Sequence, residues 1–230
     1  AERGLPAFSI YGKEVQDMDD DTVTDDVKEK LICYAKVVNA VAQMRNKSYV
    51  AIGNVSMGIP GSLLDPMLLQ EYLGMRAEWV DMTEVLRRIK KNIFDEKEYE
   101  IAAKWVKKNI KQGEDFYNPK ELRHTAEEYK KDWEYSIKMA IIIKDIMYGN
   151  KKLADKGYYE ESLGKNALVG GFQGQRQWTD WLPNCDFAES IINTSFDWSG
   201  IKQPTPFATE NDTLNGLTMM FGTLLTNIMV

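Results

Sequence analysis

Glu210 and Asp212 are the side chains best placed to do chemistry. They lie two residues apart in Thr205-Pro206-Phe207-Ala208-Thr209-Glu210-Asn211-Asp212-Thr213-Leu214-Asn215-Gly216. An apolar segment runs into Glu210, and a helix-like run begins just after Asp212. The pattern predicts a β-strand over 205–210 and a helix from Thr213 to about Asn227. Open α/β sheets gather their ligands at the carboxyl ends of their strands. Glu210 is therefore a candidate metal ligand and proton-transfer group. Asp212 reads as the N-cap of the following helix, its carboxylate accepting from free N–H groups of the first turn. A second row, Gln173-Gly174-Gln175-Arg176-Gln177-Trp178, is dense in amides and carries a guanidinium and an indole. Amides both donate and accept, which suits sugar hydroxyls, and an aromatic face suits the C–H side of a sugar ring. The row is not specific alone, since loop glutamines are mostly solvated and tryptophans such as Trp178 and Trp181 are more often core than part of a binding site.

The elements that must position these groups follow from pattern. Residues 1–24, with Gly4, Pro6, Gly12 and the acidic run Asp17 to Asp21, read as an irregular arm that needs a neighbour to pack against. Thr24 then caps a helix over 25–46, with Asp25 and Asp26 in its first turn, where the helix dipole favours negative charge. Val27, Leu31, Tyr34, Val38 and Val41 fall at helical spacing and read as a core-facing stripe. Residues 47–230 read as one α/β domain. Strands are expected at 48–53, 77–82, 167–173 and 205–210. Helices are expected after Asp65-Pro66, after Asp81 and Asp95 (each with a Glu three residues on, as in a capping box), from Asn118-Pro119 to Met147, and over 186–194. Gly74, Gly113 and Gly149-Asn150 read as helix stops. The charged half of the long helix, 120–134, reads as a solvated face or a subunit contact. The alternation predicts a three-layer fold, a mostly parallel sheet with helices on both faces. Its carboxyl edge would collect the loop after Gly53, the loop after Gln173, and Glu210.

Composition narrows the class. The 230 residues carry a net charge of −6, which does not suit a nucleic-acid partner. No apolar run approaches the ~20 residues a membrane span needs. Cys33 and Cys185 are the only cysteines and lack CxxC spacing, so they read as inert, at least partly buried thiols in a reducing compartment. No secretory signal is present. The first residue is not Met and the last seven are mostly apolar, so the sequence reads as a piece of something longer.

Three segments resemble the L-fucose isomerase family: Gly171-Phe172-Gln173-Gly174-Gln175-Arg176-Gln177-Trp178-Thr179-Asp180, Asn193-Thr194-Ser195-Phe196-Asp197-Trp198, and Ala208-Thr209-Glu210-Asn211-Asp212-Thr213-Leu214-Asn215-Gly216. Gly4 to Phe8, Ile10-Tyr11-Gly12, Val55 to Gly58 and Val80 to Glu84 agree. The resemblance covers essentially the whole chain. It implies a Rossmann-like second domain, preceded by the end of the first and truncated before its last strand. It implies a cytoplasmic, Mn²⁺-dependent aldose–ketose isomerase, active on a small-molecule sugar (L-fucose to L-fuculose, D-arabinose to D-ribulose), in a homohexamer. Of the family's Glu, Asp and His metal ligands only the Glu has a counterpart, Glu210; the other two would lie beyond Val230. Gln173 matches a sugar-contacting glutamine. Cys185 takes the place of a usual glycine, and Thr223 that of a common histidine. His124, the lone histidine, reads as exposed on a charged helix away from the site. These residues alone are therefore expected to bind Mn²⁺ weakly or not at all and to turn over nothing detectable.

Two other readings remain open. Gly53, Gly58 and Gly61 follow a strand, and Asp81 ends the next, as in a dinucleotide-binding domain; but the spacing is not GxGxxG and Pro60 interrupts it. The arm, the exposed long helix and the unfinished C-terminus suit a non-catalytic assembly module.

Overall fold

The computed structural model describes residues 4, 7–13, 17–56, 58–174 and 181–226. Helix α1 (Asp25–Met44) leads into β1 (Ser48–Ile52), α2 (Pro66–Leu68) with a π-helical continuation over Leu69–Leu73, and β2 (Arg76–Val80). Then come α3 (Met82–Lys91), α4 (Glu96–Asn109), α5 (Ala126–Tyr148), α6 (Lys151–Asp155) and β3 (Ala167–Phe172). The chain continues through α7 (Asp186–Asn193), β4 (Phe196–Asp197), β5 (Gly200–Ile201), β6 (Phe207–Thr209) and α8 (Thr213–Thr226). The main sheet has the order β2-β1-β3-β6 and every pairing in it is parallel.

The expected three-layer α/β fold is present, and alternation along β1 builds it. Val50 and Ile52 face a core with Val85, Ala102, the apolar half of α5, and Ile191 and Ile192 of α7. Tyr49 and Ala51 face the opposite core, with Met44 of α1, Leu69, and Leu217, Met220 and Leu224 of α8. All five residues of β1 are buried, as expected of a central parallel strand covered on both faces. In α5, Ile137 and the run Met139 to Ile143 are buried, whereas its first turns are mostly exposed. No helix among the described residues is long and apolar enough to cross a membrane.

Several local expectations are corrected. The stripe on α1 is not core: Leu31, Tyr34, Val38 and Val41 are 44–47 % exposed, because α1 reaches the domain only through its last turns, Ala40 and Met44. Thr24 precedes α1 but its side chain makes no cap; its hydroxyl donates to Asp26 Oδ1 instead. Cys33 is exposed, although Cys185 is buried. Asp81 and Asp95 do cap α3 and α4. The partners expected to complete those capping boxes are drawn away: Glu84 binds Arg87 and Arg88, and Glu98 binds Lys144 and the Trp198 indole. Helix α4 stops at Asn109, before Gly113. The helix expected from Asn118-Pro119 begins only at Ala126, behind a full capping box of Thr125 and Glu128. His124 accordingly lies ahead of α5, exposed, with Nδ1 2.6 Å from Asp132. The two-residue strands β4 and β5 pair antiparallel in a hairpin too short to announce itself by alternation.

Candidate functional site

The sheet order places the reversal of chain direction between β1 and β3, since β1 connects outward to β2 and the chain then returns to β3 on the other side. Ligand crevices form outside the carboxyl ends of strands at such a switch point. An open crevice of about 640 Å³ spans the carboxyl ends of β2 and β1 and reaches Gln173 after β3, with Asn54, Trp79 and Asp81 also among its lining. Glu210 is one strand further along. Phe172 pairs with Thr209, so Gln173 and Glu210 each follow paired residues at the same edge.

Three loops converge at that edge. The Asn54 N–H donates to Gln173 Oε1 at 2.7 Å, and Gln173 Nε2 donates to Val55 O at 3.0 Å. Ser56 Oγ donates to Gln173 O at 3.1 Å, and the Ser56 N–H to Ser62 Oγ at 2.8 Å. The Gln173 amide is thus occupied at both ends in bracing the loop after β1. Gly53 is what lets it approach: with φ +93° it takes a left-handed conformation, and a Cβ there would lie 2.6 Å from Gln173 Cβ.

Among the described residues Glu210 is the only one other than glycine and asparagine with positive φ. Glu210 and Asn211 both have positive φ, 53° and 52°. Asparagine tolerates this region; glutamate in it is unusual. Asn211 is 1 % exposed and acts as a hub: its Oδ1 accepts from the Tyr49 hydroxyl at 3.2 Å, and its Nδ2 donates to Asn54 O at 3.1 Å. Burial pushes the Tyr49 hydroxyl well above its usual range, so it stays a neutral donor. Asp212 performs the expected capping, accepting from the Asn215 N–H at 3.2 Å. Glu210 itself is half-buried, and among the described residues no hydrogen bond or ion pair engages its carboxylate.

Behind β6 lies a second carboxyl group that sequence reasoning passed over. Glu189 of α7 is 7 % exposed, and its Oε2 accepts from the Thr209 hydroxyl at 2.8 Å. Burial pushes its pKa up to about 7, opposed by the Thr209 bond and aided by repulsion from Asp186 and Glu210. One turn on, the Asn193 amide holds β6 directly: Oδ1 accepts from the Phe207 N–H at 3.0 Å, and Nδ2 donates to Phe207 O at 2.8 Å. The available signal was the spacing of Glu189 and Asn193, i and i+4 on one face of a short helix.

The glycine loop does not resemble a pyrophosphate cradle. Pro60–Ser62 forms one 3₁₀ turn, the next α-helix starts only at Pro66, and the Asp81 carboxylate accepts from the Thr83 N–H. Gln175, Arg176, Gln177 and Trp178 of the amide-rich row lie outside the described residues. Trp181 is 77 % exposed, so the core alternative for it does not apply. For a divalent cation, Glu210 offers one oxygen ligand. Among the described residues no three His, Cys, Asp or Glu side chains come together to hold a metal, so these residues do not by themselves fit a complete cation site.

Gly171 sits under the turn. A Cβ there would lie 2.8 Å from Asn211 Cα and 3.0 Å from Ala208 O, both backbone atoms. Gly171→Ala is expected to displace the 210–211 turn and to cost about 1–3 kcal/mol, an overpacking penalty read as a lower denaturation midpoint. An unchanged midpoint would show that the turn has room to spare.

Known proteins match the chain from end to end. The family model described as "L-fucose isomerase, second N-terminal domain" matches residues 47–227, and that described as "L-fucose isomerase, first N-terminal domain" matches residues 1–46. The L-fucose isomerase of Clostridium perfringens is 55 % identical over 232 residues, covering 99 % of this chain and 39 % of that protein. That of Bacteroides thetaiotaomicron is 53 % identical over 229 residues, covering 99 % and 39 %. That of Phocaeicola vulgatus is 55 % identical over 227 residues, covering 98 % and 38 %. The chain thus spans about two fifths of the length of these relatives. Matched by both domain descriptions in chain order, on a fold that brings Gln173 and Glu210 to one sheet edge, it belongs to the L-fucose isomerase family.

Proposed function

We propose that this chain is the part of an aldose–ketose isomerase that presents Glu210 to a sugar, L-fucose or D-arabinose. The observation that carries the reading is the Glu210 carboxylate, half-buried and unengaged among the described residues, on a left-handed turn at the carboxyl edge of a parallel sheet. In the open-chain aldose, Glu210 takes the proton from C2. The C1 carbonyl oxygen gains a proton and the C1–C2 enediol forms. Glu210 then returns a proton to C1 while the O2 hydroxyl loses its own, leaving the ketose. Net, one hydrogen passes from C2 to C1 and one from O2 to O1. A general base placed in this way contributes ~10²–10⁴-fold to rate.

Mn²⁺ is the proposed cofactor; when bound it supplies Lewis-acid stabilisation of negative charge on oxygen. Glu210 is its ligand from this chain, and the remaining ligands belong to the three fifths of the relatives' length outside these residues. Gln173 is the proposed sugar contact, through the second N–H and the second lone pair that its bonds to Val55 and Asn54 leave free. The whole enzyme is proposed to be a cytoplasmic homohexamer. The uncovered apolar stripe on α1 supports burial of that face against further polypeptide.

The test is an isomerase assay with L-fucose and Mn²⁺ on these 230 residues and on the full-length subunit. The full-length subunit is expected to form ketose and the isolated residues none. No ketose from either would overturn the reading. Turnover by the isolated residues would show that they complete the site alone.

A further inference from the structure

Glu189 stands behind β6, on α7, and is not among the described residues that line the crevice. It is 7 % exposed, and its one side-chain partner among the described residues is the Thr209 hydroxyl, at 2.8 Å. Thr209 is the last residue of β6, and the two left-handed residues follow it directly. The carbonyl of the same Thr209 accepts from the Asp212 N–H at 3.0 Å, closing the turn from the other end. The turn is thus pinned at three points: Thr209 by Glu189, Asn211 by Tyr49 and Asn54, and Asp212 by the start of α8. Among the described residues, Glu210 is the member of that turn whose side chain is left unengaged. A buried carboxyl group is costly to keep, and where core packing alone were needed an apolar residue of similar size would serve better.

We propose that Glu189 is a positioning residue for Glu210: through the Thr209 hydroxyl it holds the left-handed turn that presents the site glutamate. The proposal deepens the isomerase reading and rests on it for Glu210's role. Glu189 touches neither substrate nor cation. Its contribution is to keep the Glu210 backbone in a conformation from which an ordinary L-residue relaxes. Either oxygen acceptor serves: a glutamine at 189 still accepts from Thr209, and a serine at 209 still donates.

Two readouts test it. In these 230 residues, hydrogen exchange at the Asp212 N–H reports the turn directly. Glu189→Ala and Thr209→Val are each expected to speed that exchange about tenfold or more, by local opening. Glu189→Gln and Thr209→Ser are expected to stay near wild type. In the full-length subunit, the first pair is expected to lower kcat roughly ten- to a hundredfold with KM nearly unchanged, and the second pair to rescue it. Thr209→Val, which leaves the buried carboxyl in place, keeps the test decisive if Glu189→Ala fails to fold. Exchange and kcat both unmoved in Thr209→Val would overturn the proposal. A loss of kcat no larger than the loss of folded protein would overturn it equally. Exchange that responds in a subunit without isomerase activity would sink the functional reading and leave the structural linkage standing.

Discussion

Glu210→Gln is expected to lower the kcat of the full-length isomerase by roughly 10²–10⁴-fold, with the folding midpoint unchanged. The amide is isosteric and fits the same half-buried position, but it cannot accept a carbon proton and is a poor cation ligand. A companion substitution separates function from scaffold. With φ at +53°, Glu210 occupies a region that costs an L-residue roughly 1–2 kcal/mol and a glycine almost nothing. Glu210→Gly is therefore expected to leave the fold as stable or to raise its stability by about 0.5–1 kcal/mol while abolishing turnover. A residue that lowers stability and carries activity is the signature of a site held under tension. Retained kcat in Glu210→Gln would remove Glu210 from the mechanism, and clear destabilisation in Glu210→Gly would show that its left-handed backbone carries no strain.

The second large effect concerns pH and lies on the other face of the sheet. Asp145 of α5 is 5 % exposed. One of its oxygens accepts from Asn150 Nδ2 at 3.0 Å, and the other has no hydrogen-bond partner among the described residues. Burial pushes its pKa up to about 7, against an ordinary 3.8; Glu98 adds to the rise, while Asn150, Arg88 and Lys144 oppose it. The sign follows from proton counting. Between these values the folded chain keeps a proton that the unfolded chain has released, so raising the pH favours unfolding. The penalty is absent below the unfolded value and complete once pH passes through the folded one. Asp145→Asn removes the titration but keeps the acceptor for Asn150. It is expected to gain on the order of 2–4 kcal/mol over wild type at pH 8 relative to pH 4. That corresponds to a rise of roughly 5–15 °C in Tm. The amide's own packing adds an offset that does not vary with pH, so the difference between the two pH values is the measurement. An equal Tm difference at pH 4 and pH 8 would show that Asp145 is ionised in the folded chain.

The sheet was legible because its strands are short, apolar and bounded by glycines and caps, and because alternation with helices leaves few parallel arrangements open. Asp65, Asp81, Asp95 and Asp212 were legible as caps because a cap is a local bond between neighbours in sequence. What failed were the choices settled by competing partners, within the same helix for Glu84 and from a distant one for Glu98. Glu84 and Glu98 had good local partners but formed ion pairs with Arg87, Arg88 and Lys144. The start of α5 was read too early because Asn118-Pro119 is a plausible opening, whereas Thr125 and Glu128 supply two reciprocal bonds. The α1 stripe has the right period for a core, but periodicity cannot say whether the covering surface belongs to the same stretch of chain.

At the edge itself, the places of Glu210 and Gln173 after their strands were legible. The residues that hold them were not. Asn211, Tyr49, Glu189 and Asn193 meet across separations of up to 162 residues and share no local motif. Gln173 is the instructive case. Its amide was read for its affinity for hydroxyls, and in the fold that affinity is turned on the backbone of Asn54 and Val55.

The Asn193 amide has one more consequence. Facing both the N–H and the C=O of Phe207, it imitates the rung a neighbouring strand would supply. At this rung β6 therefore offers no open template for foreign chains. Any polypeptide seeking to extend the ladder there must first evict a helix side chain, so growth of the sheet at that rung is gated from within.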